Sequence, residues 1–153
     1  MIKFREIGTY KNAVNIGYCK TNVQLKNGYG VTVKESQKTV SLPTEETAKQ
    51  SDLYIVINKF DKPELRSPND YTIEPGEFPR CFRLKSLDGR ILDCDTDTIE
   101  EEYENILVDD KLVFNTKGKL TKTDNVDGYG YYFEVIDKTS FCGNGLGLKV
   151  VIV

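Results

Sequence analysis

Residues 106–153 read ILVDDKLVFNTKGKLTKTDNVDGYGYYFEVIDKTSFCGNGLGLKVVIV. Two apolar runs inside this stretch, 129–136 (YGYYFEVI) and 146–153 (LGLKVVIV), are rich in aromatic or β-branched residues and bounded by glycine. A third, 111–114 (KLVF), runs into a tight turn at Lys117-Gly118. Runs of this length and composition are strand and hairpin signals, and the closing Leu-Lys-Val-Val-Ile-Val reads as a strand inside a sheet.

Working upstream, 52–60 (DLYIVINKF) is apolar on both faces through residues 53–57, the pattern of a central strand. Residues 13–19 (AVNIGYC) place Val14, Ile16 and Tyr18 on one side of an extended chain. The same period runs through Val23 and Leu25 to Asn27-Gly28, a strong hairpin signal with 29–34 as the return strand. Residues 38–42 form a short strand ended by Pro43. Pro75-Gly76 marks a type II turn, and Asp88-Gly89 a second hairpin between 81–84 and 90–94. The one helix signal is short, near 44–50, with Thr44 as its cap and Glu45 and Glu46 in its first turn. The reading is all-β, an antiparallel barrel or sandwich of nine to eleven strands. Residues 1–43 are read as an N-terminal arm and hairpin layer and 44–153 as the main β domain, which together can pack as a single domain.

A chain of 153 residues, 29% charged and 39% apolar, is long enough for a sizeable core and too mixed for a disordered tail. No run approaches the ~18 apolar residues of a membrane helix. Charges at Lys3, Arg5 and Glu6 leave no apolar segment for a signal peptide. The net charge is -3 and the basic residues are scattered, so nucleic acid is not the expected partner. Lys111, Lys117, Lys119 and Lys122 read as a solvated hairpin rim.

There is no histidine, which removes Ser-His-Asp and Cys-His catalysis. Cys19, Cys81, Cys94 and Cys142 lack metal-site spacing and read as reduced thiols, with Cys19, Cys81 and Cys142 set among apolar neighbours as core side chains. Asp93-x-Asp95-x-Asp97 opens like a calcium loop, but Thr98 stands where an EF-hand needs glycine, so a solvated acidic loop is expected. Gly143, Gly145 and Gly147 read as a hairpin loop. No metal or cofactor is expected.

Candidate contact residues fall in two places. The arm carries Ile2, Phe4 and Ile7, which can dock as a strand on a partner's sheet edge. The polar loop 61–70 is long for a hairpin connection and carries Lys62, Glu64 and Arg66. Tyr129, Tyr131 and Tyr132 form a further set: exposed, they would make a stacking platform for sugars; buried, they are core.

One order of features carries a family resemblance over residues 52–153. The Pro75-Gly76 turn is followed by Leu-Asp-Gly-Arg-Ile-Leu (87–92), then Val-Asp-Asp-Lys-Leu-Val (108–113), then Gly118-Lys119-Leu120, a Gly-Tyr-Gly strand and a terminal apolar strand. This resembles the auxiliary capsid proteins of tailed bacteriophages, called decoration or cement proteins. In them a GD-K-L-V…GKL hairpin precedes a final strand pair; here Asp109 stands where a glycine is common. The resemblance implies a non-enzymatic protein on the outside of a phage head, bound to the major capsid protein across capsomer boundaries and made in the host cytoplasm. Self-association stays open. The alternatives are a tail, baseplate or head-fibre module, a carbohydrate-binding β-sandwich, and a small hydrolase.

Overall fold

The structure, a computed structural model, describes residues 1–6, 8–59 and 70–153. Among them are twelve strands in two six-stranded sheets. The first sheet has β1 (Ile2–Phe4), β8 (Ile91–Asp95), β12 (Gly145–Ile152), β11 (Tyr131–Thr139), β9 (Lys111–Phe114) and β10 (Leu120–Thr123), side by side in that order. The second has β2 (Asn15–Ile16), β7 (Cys81–Arg83), β6 (Tyr54–Val56), β4 (Gly30–Lys34), β5 (Thr39–Ser41) and β3 (Lys20–Thr21). All pairings are antiparallel except β3 with β5. Neither sheet closes into a barrel. Strands from before and after residue 43 share both sheets.

β12 lies between β8 and β11, as its apolar sequence requires. Leu146, Leu148 and Val150 are fully buried while Lys149 faces out. Each such side chain contributes about 1.5–3 kcal/mol relative to exposure. They join one core built from both sheets, with Ile55 and Phe82 of the second sheet packed among Leu92, Phe114 and Phe133 of the first. A second core of Cys19, Leu25, Val31, Tyr54, Val56 and Ile73 covers the other face of the second sheet. β6 therefore buries Ile55 on one side and Tyr54 and Val56 on the other, which accounts for its two apolar faces.

Several local expectations change. The Asn27-Gly28 turn forms, with Gly28 at φ +98°, but no hairpin follows. Leu25 bridges to Ile73, Gly28 N donates to Val56 O (2.8 Å), and β4 pairs with β5 and β6. The buried β6 takes the backbone groups a hairpin partner would have satisfied. Asp88-Gly89 also turns without making a hairpin, since β7 and β8 belong to different sheets. The 3-10 turn Leu84–Leu87 buries both leucines and carries the chain across.

In 13–19 the buried residues are Ala13, Ile16 and Cys19, while Val14 and Tyr18 are half exposed. β2 pairs for only two residues before the chain leaves the sheet, so the spacing is three and not two. The helix near 44–50 is a single 3-10 turn, Thr47–Lys49, one of several such turns in the chain. Its cap position is held by Glu46, whose side chain makes no capping bond, and Thr44, two residues upstream, accepts from Thr47 N through Oγ1 at 3.2 Å.

Gly145 and Gly147 lie in β12, not in a loop. Cys142 is exposed at the β11–β12 turn, where a core side chain was expected, while Cys19, Cys81 and Cys94 are buried. Burial pushes the Cys81 and Cys94 thiols up to about 12. Among the described residues no helix is long and apolar enough to cross a membrane.

Candidate functional site

The arm is tied to its own sheet. Ile2, Lys3 and Phe4 pair with Cys94, Asp93 and Leu92 of β8. Ile2 is 2% exposed and belongs to the core, which leaves its side chain no surface for a partner. Arg5 then closes a clamp. Its Nε and Nη2 donate to Asp93 Oδ1 (2.9 and 2.8 Å), and Nη1 and Nη2 donate to Asp137 Oδ2 and Oδ1 (3.0 and 2.8 Å). Two-handed guanidinium–carboxylate pairs are the stronger kind. The hydrogen bonds from Arg5 hold the Asp137 carboxyl below its usual range.

The aspartates of the calcium-like stretch do not converge on one point. Asp93 is on Arg5, Asp95 Oδ1 meets the Met1 amino group at 2.5 Å, and Asp97 pairs with Lys26 at 2.7 Å. Asp93 and Asp95 are buried, which corrects the solvated-loop expectation for this half of the stretch. Glu100, Glu101, Glu102 and Glu104 instead line an open hollow of about 370 Å³ with Tyr103 and Asn144. Among the described residues no group of three or more His, Cys, Asp or Glu is placed to hold a metal ion. Of the hairpin-rim lysines, Lys117 pairs with Glu100 (3.3 Å), Lys122 pairs with Asp110 (2.8 Å), and Lys111 lies 5.0 Å over Tyr132.

The three tyrosines do not share a face. Tyr131 is fully buried, its hydroxyl donating to Ala48 O (2.8 Å) and accepting from Phe114 N (3.0 Å). Tyr132, the next strand residue, points to the opposite side and is half-buried. Tyr129 is half-buried and edge-on to Tyr131 at 6.5 Å. It borders a hollow of about 240 Å³ with Glu45, Lys49, Asn115 and Thr116.

Of the arm residues, Phe4 lands on a described cleft. Its ring meets Phe82 at 5.1 Å and 76°, and with Ile57, Asn58, Lys59 and Arg80 the pair lines a cleft of about 240 Å³. Ile7, Lys62, Glu64 and Arg66 lie outside the described residues. Asn58 builds the wall. Its N–H donates to Asn27 Oδ1, its Oδ1 accepts from Arg80 N at 2.5 Å, and its Nδ2 donates to Tyr71 OH. The Arg80 guanidinium lies 4.7 Å over the Phe82 ring. Lys59 and Arg80 went unremarked in the sequence; the available signal was Arg80-x-Phe82, a cation and a ring at strand spacing.

A second exposed feature sits at the other side of the first sheet. Leu107 and Val108 are 60% and 48% exposed on the turn that enters β9. Asp109 holds that turn at φ +73°. Leu107 N donates to Asp110 Oδ2 (2.7 Å), Asp109 N to Val135 O (2.8 Å) and Val135 N to Asp110 O (2.9 Å). Burial pushes the Asp110 carboxyl up, but the hydrogen bonds from Leu107 N and Lys122 outweigh it and hold the group below its ordinary range. Compared with protein-family models, curated proteins and solved structures, the chain matches none.

Proposed function

We propose that this chain is a non-enzymatic virion protein that binds the outer surface of a tailed-phage capsid, with the major capsid protein as its partner, and decorates or stabilises the shell. The observation that carries this reading is the Leu107–Val108 turn. It lies in the segment that bears the family resemblance, and it holds two large apolar side chains in water on a backbone fixed by hydrogen bonds to Val135 and within the turn. Covering them would contribute about 1.5–3 kcal/mol each. A repeating lattice turns such modest contacts into firm attachment.

The test is cosedimentation of the purified chain with empty phage capsids. Saturable binding at a fixed ratio to capsid subunits, weakened in Leu107→Asp, is the expected result. Absence of binding at any concentration overturns the reading. A second reading, carbohydrate binding, is favoured by the hollow beside Tyr129, where one half-buried ring stands among Glu45, Lys49, Asn115 and Thr116. Selective retention on a glycan array, lost in Tyr129→Ala and without capsid binding, would replace the first reading with the second.

A further inference from the structure

We propose that the cleft between β1 and β7 is a docking site for an extended segment of a partner protein that carries a carboxylate beside an apolar side chain. The floor is Phe82 and Ile57, 1% and 8% exposed, and Phe4 forms one wall. An apolar side chain of roughly leucine size is what such a floor accepts. Arg80 caps one side. Stacked on Phe82, the guanidinium has one face covered and keeps its N–H edge for a planar, two-oxygen partner. Lys59 adds a second positive charge to the same rim.

Neither cation has a carboxylate partner among the described residues. Arg5 and Arg83, by contrast, hold Asp93, Asp137 and Asp52. In a chain with 24 acidic and 21 basic residues, two cations without a carboxylate partner among the described residues, facing one apolar cleft, mark a place complementary to negative charge. A purely apolar occupant would strip water from Arg80 and return no hydrogen bond. A small inorganic anion would meet the rim and leave the apolar walls uncovered. An acidic residue flanked by an aliphatic one satisfies both. The wall is preorganised, because every polar group of the Asn58 side chain is already hydrogen-bonded, so little ordering remains to oppose binding.

The assignment goes beyond the capsid reading and does not depend on it. The experiment is a titration of the full ¹⁵N-labelled chain with acetyl-Leu-Glu-Leu-amide, with acetyl-Leu-Gln-Leu-amide, and with inorganic phosphate. The expected result is amide shifts centred on Lys59, Arg80 and Phe82, and binding of the Glu peptide about tenfold tighter than of either comparison. Arg80→Gln should erase that preference, and Arg83→Gln should leave it unchanged. Equal affinity for the two peptides, phosphate binding as tight as the Glu peptide, shifts centred elsewhere, or an Arg80→Gln variant that keeps the preference would each overturn the proposal. Capsids are absent from this assay, so its outcome and that of cosedimentation are read separately.

Discussion

Arg5 reaches Asp137 across the strand that separates them, Nη2 to Oδ1 at 2.8 Å, through space that exists because residue 147 has no side chain. β12 lies between β8, to which the arm is paired, and β11, which carries Asp137. A Cβ on residue 147 would stand 2.0 Å from Asp137 Oδ1 and 2.2 Å from Arg5 Nη2. Gly147→Ala must therefore break the clamp or bend the strand. Overpacking of this kind costs about 1–3 kcal/mol. Urea unfolding should show that loss, and a smaller one when the substitution is made in an Arg5→Ala background, because the clash and the clamp share partners. Equal losses in the two backgrounds would refute the link.

The clamp also sets a pH dependence. Asp137 and Asp110 are both held below the ordinary carboxylate range, by Arg5 in one case and by Leu107 N and Lys122 against burial in the other. In the unfolded chain both return to about 4. Between the folded and unfolded values the unfolded state binds more protons, so stability rises with pH. The stabilisation is complete above the unfolded value and is lost as pH falls through the folded ones. The urea midpoint should climb as pH rises through the acid range to about 5, above the unfolded value, and the climb should flatten in an Asp110→Asn, Asp137→Asn double variant. Asp137 is 47% exposed, so added salt should shrink its share. An unchanged slope in the double variant would sink the assignment.

At Asp109 the sequence and the backbone disagree in a measurable way. The position has φ +73°, the left-handed region, and its side chain is exposed. Glycine adopts this conformation without steric cost. Asp109→Gly should be neutral to stabilising by about 0.5 kcal/mol, since relief of strain slightly exceeds the added entropy of the unfolded chain. Asp109→Val, branched at Cβ, should lose about 1–2 kcal/mol although it touches nothing in the core. Thermal unfolding of the two variants decides it: an Asp109→Val protein as stable as the parent would show that the turn relaxes.

Strand identity was legible in the residues because period and burial are local. β6 could be read as central from its two apolar faces, and each face does meet a core. The β9–β10 hairpin could be read from Lys117-Gly118, where Gly118 takes φ +75°. Pairing was not legible. Asn27-Gly28 and Asp88-Gly89 both turn, yet the strands they separate go to other partners, because a turn dipeptide fixes a bend and says nothing about which distant edge is empty. The cleft was half visible for the same reason. Phe4 stood out by alternation, whereas Lys59, Arg80 and Phe82 reach it only through the β6–β7 pairing and the Asn58 bonds. Leu107 and Val108 carry no local signal of exposure, since burial of an apolar residue beside a strand depends on what packs over it.

Tyr131 shows how much a single buried hydroxyl contributes. Its ring packs against Phe114 at 6.1 Å and Phe133 at 5.9 Å, contacts that phenylalanine would keep. Its oxygen is the sole difference, and it joins Phe114 N of β9 to Ala48 O of the 3-10 turn on the opposite side. In Tyr131→Phe both backbone groups lose that partner where water does not reach. The cost of such orphaned groups is about 1–3 kcal/mol. For a chain of this size each kcal/mol lowers the unfolding temperature by about 2–4 °C. Tyr129→Phe, at a half-buried ring, should stay within about 0.5 kcal/mol of the parent. Differential scanning calorimetry of the pair separates burial of the ring from the bridge it carries. A Tyr131→Phe protein melting with the parent would mean that Phe114 N and Ala48 O find each other or other partners, and that the turn at 47–49 is held by packing alone.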